Sequence, residues 1–405
     1  MAGAAASETA QEGGNRRGMC HTGEITLGRQ KLIERGDDRP VTPRERLLAA
    51  LNGERPDRIP WAPEFNIVFC ERIVDTIPGD PYTEETLYLE ACRRMRAECF
   101  LRVDAAEVEY PNLRMTESVD DGVVTRVYET ARGVLASRGR IMPDIGTDME
   151  FEHMIKGAGD LAAYQSLYED AVYRPRYDFV RRRIEQMGDA GVISIFGPPT
   201  PLLDLIMFQI RLPAIYYLLA DAPRELAELL RAMHRRNCEY YELAAAAPGE
   251  IVRSFEDTST TLVSPVLYRE WCLHQLQDYR DICHAHGKQF VPHMCGLLKG
   301  VLPELRETGL DGIEAVTPPP LGDTPIGLAR EQLGPDVTLI GGIDPTQFVG
   351  ATPDRTRELI REALGQIGDG RRFALGHEEI QITADLESVQ VIPDILEEHA
   401  RRNVC

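Results

Sequence analysis

His293 and Cys295 stand two residues apart in the stretch 288–296 (KQFVPHMCG). On a strand an imidazole and a thiol at that spacing share one face, because strand side chains alternate with period two. A thiolate beside an imidazole suits zinc. Residues 289–292 have strand character and Gly296 breaks the run, so the pair is expected where a strand meets a loop. A buried histidine beside an inert buried cysteine is the competing reading. Two ligands leave a catalytic zinc incomplete, since such a site takes three protein ligands and keeps a fourth position open. His377 is a candidate for the third ligand, and Glu256, Glu314 and Glu378 are alternatives.

The elements that would position these groups follow from periodicity. Strand-like runs at 59–65, 105–110, 191–196, 251–255, 289–292, 312–316, 337–341 and 372–375 alternate with helical patterns such as 223–245 and 265–284. That alternation argues for a parallel sheet covered by helices. Eight strands fit a closed α/β (β/α)8 TIM barrel, and an open doubly wound sheet is the competitor. The chain has no G-x-G-x-x-G after the first strand and no phosphate-binding G-x-x-x-x-G-K-[ST], which weakens the open-sheet, nucleotide-binding version.

A small antiparallel β insertion at about 112–142 breaks the alternation. Three strands are expected there, with a turn at Asp120-Asp121-Gly122. Residues 1–40 read as a flexible N-terminal extension, and 41–405 as the barrel. Thr42, Pro43 and Glu45 have the chemistry of a helix start.

Polar residues collect just after the expected strands: Glu64 and Asn66; Glu107 and Glu109; Pro198 to Thr200; Glu256, Asp257 and Thr258; His293 and Cys295; Glu314 and Thr317; Asp344 to Thr346; His377, Glu378 and Glu379. In barrels of this kind the C-terminal face carries the active site. Helix capping competes with catalysis for Glu256 and Asp257, and is the better reading of Asp344. Cys283-His284-Ala285-His286 sits at an expected helix end, where histidines meet the helix dipole favourably.

Composition sets limits. Sixty-five acidic against 45 basic residues give a formal charge of -20, which argues against nucleic acid or an anionic membrane as partner. No apolar run reaches the roughly 20 residues that span a bilayer. The first residues lack a basic stretch followed by an apolar one, so no secretory signal is read. Nine cysteines without regular spacing do not form a disulfide pattern, and a reducing cytoplasm is the expected location.

Several motifs together resemble uroporphyrinogen decarboxylase-fold methyltransferases, which exchange methyl groups with a corrinoid (cobalamin-type) protein. They are 52–60 (NGERPDRIP) at the entrance, 128–135 (YETARGVL), Ser264-Pro265, His286-Gly287-Lys288 leading into HMCG, 341–345 (GGIDP) and 375–377 (LGH). The resemblance runs from about Thr42 to the C-terminus and implies a (β/α)8 barrel.

In the zinc methyltransferases of that family an H-x-C pair and a later Cys hold the metal. The resemblance thus implies zinc on His293 and Cys295. The later position is His377, after Gly376, a departure from the pattern. One thiolate and two neutral imidazoles leave Zn2+ near +1, a stronger Lewis acid than two thiolates would leave. That favours release of an oxygen anion over presentation of a thiolate.

The expected activity is a corrinoid-dependent O-demethylase moving methyl from a methoxylated aromatic to the Co(I) corrinoid of a cognate partner protein. Glu64, Glu256 and Asp257 are its expected acid–base or orienting groups. Trp61, Phe65, Asn66 and Glu109 are expected around the substrate. Methylation of a thiol such as coenzyme M is the alternative, followed by porphyrinogen decarboxylation and a non-catalytic barrel. Residues 60–66 (PWAPEFN) carry Glu64 where the decarboxylases have carboxylate-gripping arginines.

Overall fold

The computed structural model describes residues 39–74, 84–142, 147–380 and 382–402. All of the expected extension except Arg39 and Pro40 lies outside the described residues. The first helix, α1 (Pro43–Leu51), starts where its capping chemistry puts it. Thr42 Oγ1 accepts from Glu45 N at 3.2 Å, and the Glu45 carboxylate accepts from Thr42 N at 2.9 Å.

In chain order the strands are β1 (Trp61–Ala62), β2 (Cys99–Asp104), β3 (Ala106–Glu109), β4 (Arg114–Asp120), β5 (Val123–Thr130), β6 (Gly133–Met142), β7 (Thr147–Glu152), β8 (Val172–Pro175) and β9 (Gly191–Gly197). They continue as β10 (Ile251–Asp257), β11 (Gln289–Phe290), β12 (His293–Cys295), β13 (Gly312–Val316), β14 (Thr338–Gly342) and β15 (Phe373–Gly376). The parallel sheet has the order β1-β15-β14-β13-β12-β10-β9-β2, with β11 also on β10. Its two ends meet. Glu98 N donates to Trp61 O at 2.9 Å, and Trp61 N donates to Glu98 Oε2 at 2.6 Å. The result is the eight-position TIM barrel expected from the alternation, with helices between successive strands.

One residue from each of six wall strands (Ala62, Phe100, Val192, Ile251, Ile340 and Ala374) and Val291, between β11 and β12, pack with Leu47 and Leu51 of α1 in a buried cluster. These positions mark the inward face, and α1 covers the end where the strands begin. By strand alternation Arg102, Phe196, Arg253, Phe255, His293 and Cys295 face the same lumen further along.

Two expectations about the barrel wall need correction. The second barrel strand is Cys99–Asp104, and the expected run 105–110 is mostly β3, which leaves the wall to pair antiparallel with β8. The sequence from Cys99 to Tyr110 is strand-like throughout, so periodicity does not show where it changes partner. The motif 52–60 lies ahead of β1, at the α1 end and not at the end where the strands finish. Its Arg58 joins Arg46 around the buried Glu98, at 2.8 and 2.6 Å. It closes the barrel.

The β insertion has four strands, β4 to β7, where three were expected. Asp121 and Gly122 take φ of 44° and 70°, as a tight hairpin turn requires. The fourth strand, TDMEFE, alternates acidic and apolar residues, a strand pattern that was missed in the sequence.

Candidate metal and substrate site

The site is built on β10, β12 and β13 and on the segments that follow β1 and β15. His293 pairs in register with Phe255 and Glu314. Its ring stacks on Phe255, with centroids 4.6 Å apart and planes at 12°. Gly296, at φ 95°, turns the chain directly after Cys295. A Cβ there would sit 2.9 Å from Asp257 Oδ1 and from Ser259 N, so the turn needs glycine. β13 carries a register shift between Glu314 and Val316, with Ala315 at φ 70°. Such bulges re-aim side chains beside active sites.

His293 is 3 % exposed, and its Nδ1 lies 2.5 Å from Glu314 Oε2 and 3.5 Å from Glu64 Oε2. Burial works against a charged imidazole here, but the Glu314 carboxylate, the Cys295 side chain and Glu64 outweigh it and raise the pKa well above its ordinary value. Burial likewise opposes ionisation of Glu314, yet His293 and Arg253 hold it well below the usual carboxylate range. Arg253 Nη1 is 3.2 Å from Glu314, and Nη2 is 3.9 Å from Glu64. Two carboxylates thus face the Arg253 guanidinium and the His293 ring. Among the described residues, the one group of three or more ligand atoms within 4.8 Å is Glu64, His293 and Glu314.

Cys295 is half-buried. Burial raises its thiol pKa and the His293 side chain lowers it. His377, 1 % exposed, has Nδ1 2.7 Å from the Glu378 carbonyl oxygen. Only a donor fits that contact, so Nδ1 carries the proton and Nε2 the lone pair. Nε2 is buried without a hydrogen-bond partner. Burial lowers the His377 pKa to about 4, so the ring is neutral at pH 7. A metal-binding histidine usually gives its other N–H to a carbonyl or carboxylate in this way. His293, with Nδ1 on Glu314, matches the same pattern. The donors His293, Cys295 and His377 fit zinc, although they do not form a preassembled 4.8 Å group.

Glu314→Gln is expected to weaken zinc binding by about 10- to 100-fold, because the amide orients His293 less strongly. Competition with a chromophoric chelator measures it, and unchanged affinity would exclude the orienting role.

A cavity of about 380 Å³ opens beside this group. Phe65, Tyr88, Phe100 and Phe255 give it aromatic walls, and Glu64, Arg102, Arg253, Glu314 and Glu379 also line it. Of the expected substrate residues, Phe65 and Asn66 reach it. The Asn66 side chain accepts from Val68 N, capping the next helix, and donates to Glu379. Trp61 is fully buried behind the wall and edge-on to Phe65 at 5.8 Å. Glu109 is not brought to the cavity; it lies exposed on β3, 2.6 Å from Arg174.

The three expected acid–base residues separate in the same way. Glu64 lines the cavity. Glu256 is fully buried and accepts from Thr200 N at 3.1 Å and Thr200 Oγ1 at 2.8 Å, an anchoring role. Asp257 accepts from Ser259 N at 3.2 Å, and burial raises its pKa. Asp344 caps the turn after β14 by accepting from Thr346 N at 2.8 Å. His284 and His286 are taken up by Asp311 and Glu242, at 2.8 and 2.9 Å.

Arg102 and Arg253 were missed in the sequence, although an arginine inside an apolar strand (CFLRVD, IVRSFED) is a usable signal. Asp204, 9 % exposed, was also missed. Burial alone pushes its carboxyl up to about 7. Below the unfolded carboxyl pKa, about 4, both states hold the proton and no penalty arises. From there to about pH 7 the unfolded chain loses the proton first, so stability falls as pH rises, and above pH 7 the penalty is complete. Asp204→Asn is expected to be more stable than the parent at pH 8 by about 1–3 kcal/mol, with the gain shrinking towards pH 4. Urea midpoints across that range measure it, and a pH-independent difference would refute it.

No curated protein sequence matches the chain. Among solved structures, a methyltransferase from Methanosarcina mazei superposes with a TM-score of 0.61 at 16% identity, covering 89% of this chain and 99% of that one. At that identity the match shows the fold. The muconate lactonizing enzyme of Pseudomonas putida aligns at a TM-score of 0.24 and 10% identity, over 74% of this chain and 78% of its own, too distant for any argument. No helix among the described residues is long and apolar enough to cross a membrane. The uroporphyrinogen decarboxylase (URO-D) family model matches residues 145–399, more than half of the chain and six of its eight barrel-wall positions, and the chain belongs to that family.

Proposed function

We propose that this protein is a zinc-dependent methyltransferase that demethylates a methoxylated aromatic and passes the methyl group to the Co(I) corrinoid of a partner protein. The observation that carries the reading is the buried, partnerless Nε2 of neutral His377, on the segment after β15, while His293 and Cys295 end β12 in the same parallel sheet. The methyltransferase fold of the Methanosarcina mazei protein supports the reaction class.

His293, Cys295 and His377 would hold zinc, which when bound supplies Lewis-acid polarisation of the ether oxygen. The protein's own groups do the remainder. Phe65, Phe100 and Phe255 would hold the ring and exclude water. Glu314 fixes the His293 ring, and Arg253 keeps Glu314 ionised. Glu64, on the cavity wall beside Arg253, would orient the substrate. A porphyrinogen with many carboxylates fits poorly, because Glu64, Glu314 and Glu379 share the cavity with only Arg102 and Arg253.

The test offers the zinc-loaded protein two reactions: Co(I) corrinoid protein with a methoxylated aromatic, and methyl-corrinoid protein with a thiol. Methyl-corrinoid formation in the first, read from its visible spectrum, is the expected result. Reaction in the second alone would reverse the direction, and reaction in neither would refute methyl transfer.

A further inference from the structure

We propose that Arg102 is a carboxylate anchor on the cavity wall, so that the aromatic substrate is an acid whose anionic group lies away from the zinc-binding residues. The inference rests on the proposed demethylase reading for the ring and on the cavity alone for the anion.

Arg102 lies in β2 and is exposed into the cavity that Glu64, Phe255 and Glu314 also line. Its guanidinium carbon sits 4.9 Å from the Phe196 ring centroid. That stacking holds the group while leaving its N–H edge available, the geometry for two parallel hydrogen bonds to a carboxylate. Among the described residues it makes no ion pair with any carboxylate.

The other charged groups of the cavity already have hydrogen-bonding or ionic partners. Arg253 faces Glu314 and Glu64, Glu85 lies 3.6 Å from Arg183, and Glu379 is bound by Asn66. Asp104, two residues along β2, feels the charge of Arg102 and Arg176, but burial still raises its pKa. Among the described residues, Arg102 is therefore the cavity cation that no carboxylate engages, and it can receive an incoming anion.

Position sets the orientation. Along the wall the order β12-β10-β9-β2 puts Arg102 three strands from His293 and Cys295. At about 4.8 Å per strand the two groups stand on separate walls of the lumen. A ring between Phe65, Phe100 and Phe255 would extend its carboxylate to Arg102 and its methoxy group to the opposite side. A simple arene acid has one such charge, which matches the one available arginine.

Titration calorimetry of the full-length zinc-loaded protein, without corrinoid protein, tests this with 4-methoxybenzoate and the neutral 4-methoxybenzamide. The wild type is expected to prefer the acid by about ten- to a hundredfold, as a charge-assisted pair implies. Arg102→Gln should abolish the preference while leaving the affinity for the amide unchanged, and Arg102→Lys should restore part of it. A preference that survives in Arg102→Gln, no preference in the wild type, or failure of the folded wild type to bind either compound would each overturn the anchor. Binding through Arg102 without later methyl transfer would uphold the anchor and refute only the demethylase reading.

Discussion

His377→Ala is expected to lose zinc and to lower methyl transfer by more than about a hundredfold, exceeding the usual effect of removing an outer partner of a ligand. The expectation follows from tautomer and burial together. Nδ1 is committed to the Glu378 carbonyl, Nε2 has no partner, and the neutral ring needs no deprotonation to bind a metal. Because the ring packs on Trp61, Phe65 and Phe348 at centroid distances of 5.9–6.4 Å, alanine also removes buried contacts. His377→Cys separates the two effects. It keeps three ligands but leaves less positive charge on the zinc, so it should retain the metal while demethylating more slowly. Metal analysis after dialysis, with a denaturation curve for each variant, checks both. Full zinc occupancy in His377→Ala would remove His377 from the ligand set.

The largest expected effect on stability belongs to Glu98→Ala, at a cost of about 3–5 kcal/mol, the range for removing one partner of a buried ion pair. Glu98 is fully buried and accepts from Arg46 Nη1 at 2.6 Å, Arg58 Nη2 at 2.8 Å and Trp61 N at 2.6 Å. Its own N–H donates to Trp61 O, where β1 meets β2. Alanine would leave the Arg58 charge buried and the Trp61 N–H without an acceptor at the barrel seam. Arg46 would keep Asp57, at 2.7 and 2.9 Å. Glu98→Gln, which can still accept, should cost less. Urea unfolding at fixed pH and zinc concentration measures both, and a loss below about 1 kcal/mol would show that the seam does not depend on this network.

Most of the barrel was legible because seven of its eight wall positions are short apolar runs bounded by breakers, and because Thr42 and the Asp120-Asp121-Gly122 turn carry strong local signals. The second strand was not. Cys99 to Tyr110 reads as one strand, while the choice of β9 for the first half and β8 for the second is made by tertiary pairing. Glu107 and Glu109 therefore leave the expected mouth.

At the site, spacing identified His293 and Cys295 but not the surroundings that tune them. Glu314 and Glu64 were visible as strand-end acids, yet their sharing of Arg253 and His293 depends on which side chains face the lumen and on the β13 bulge. Glu256 shows the converse. It stands next to a strand end, as a catalytic acid would, but its carboxylate holds the Thr200 segment.

Methyl transfer by the protein stripped of zinc and then reloaded gives the most direct test. Co(I) corrinoid protein and a methoxylated aromatic acid are mixed with each form, and the visible spectrum is followed through one turnover. The expected result is methyl-corrinoid formation that disappears with the metal, returns at about one zinc per chain, and fails to return in Cys295→Ser. Equal rates with and without zinc, or reloaded protein that never methylates the corrinoid, would contradict the proposed function.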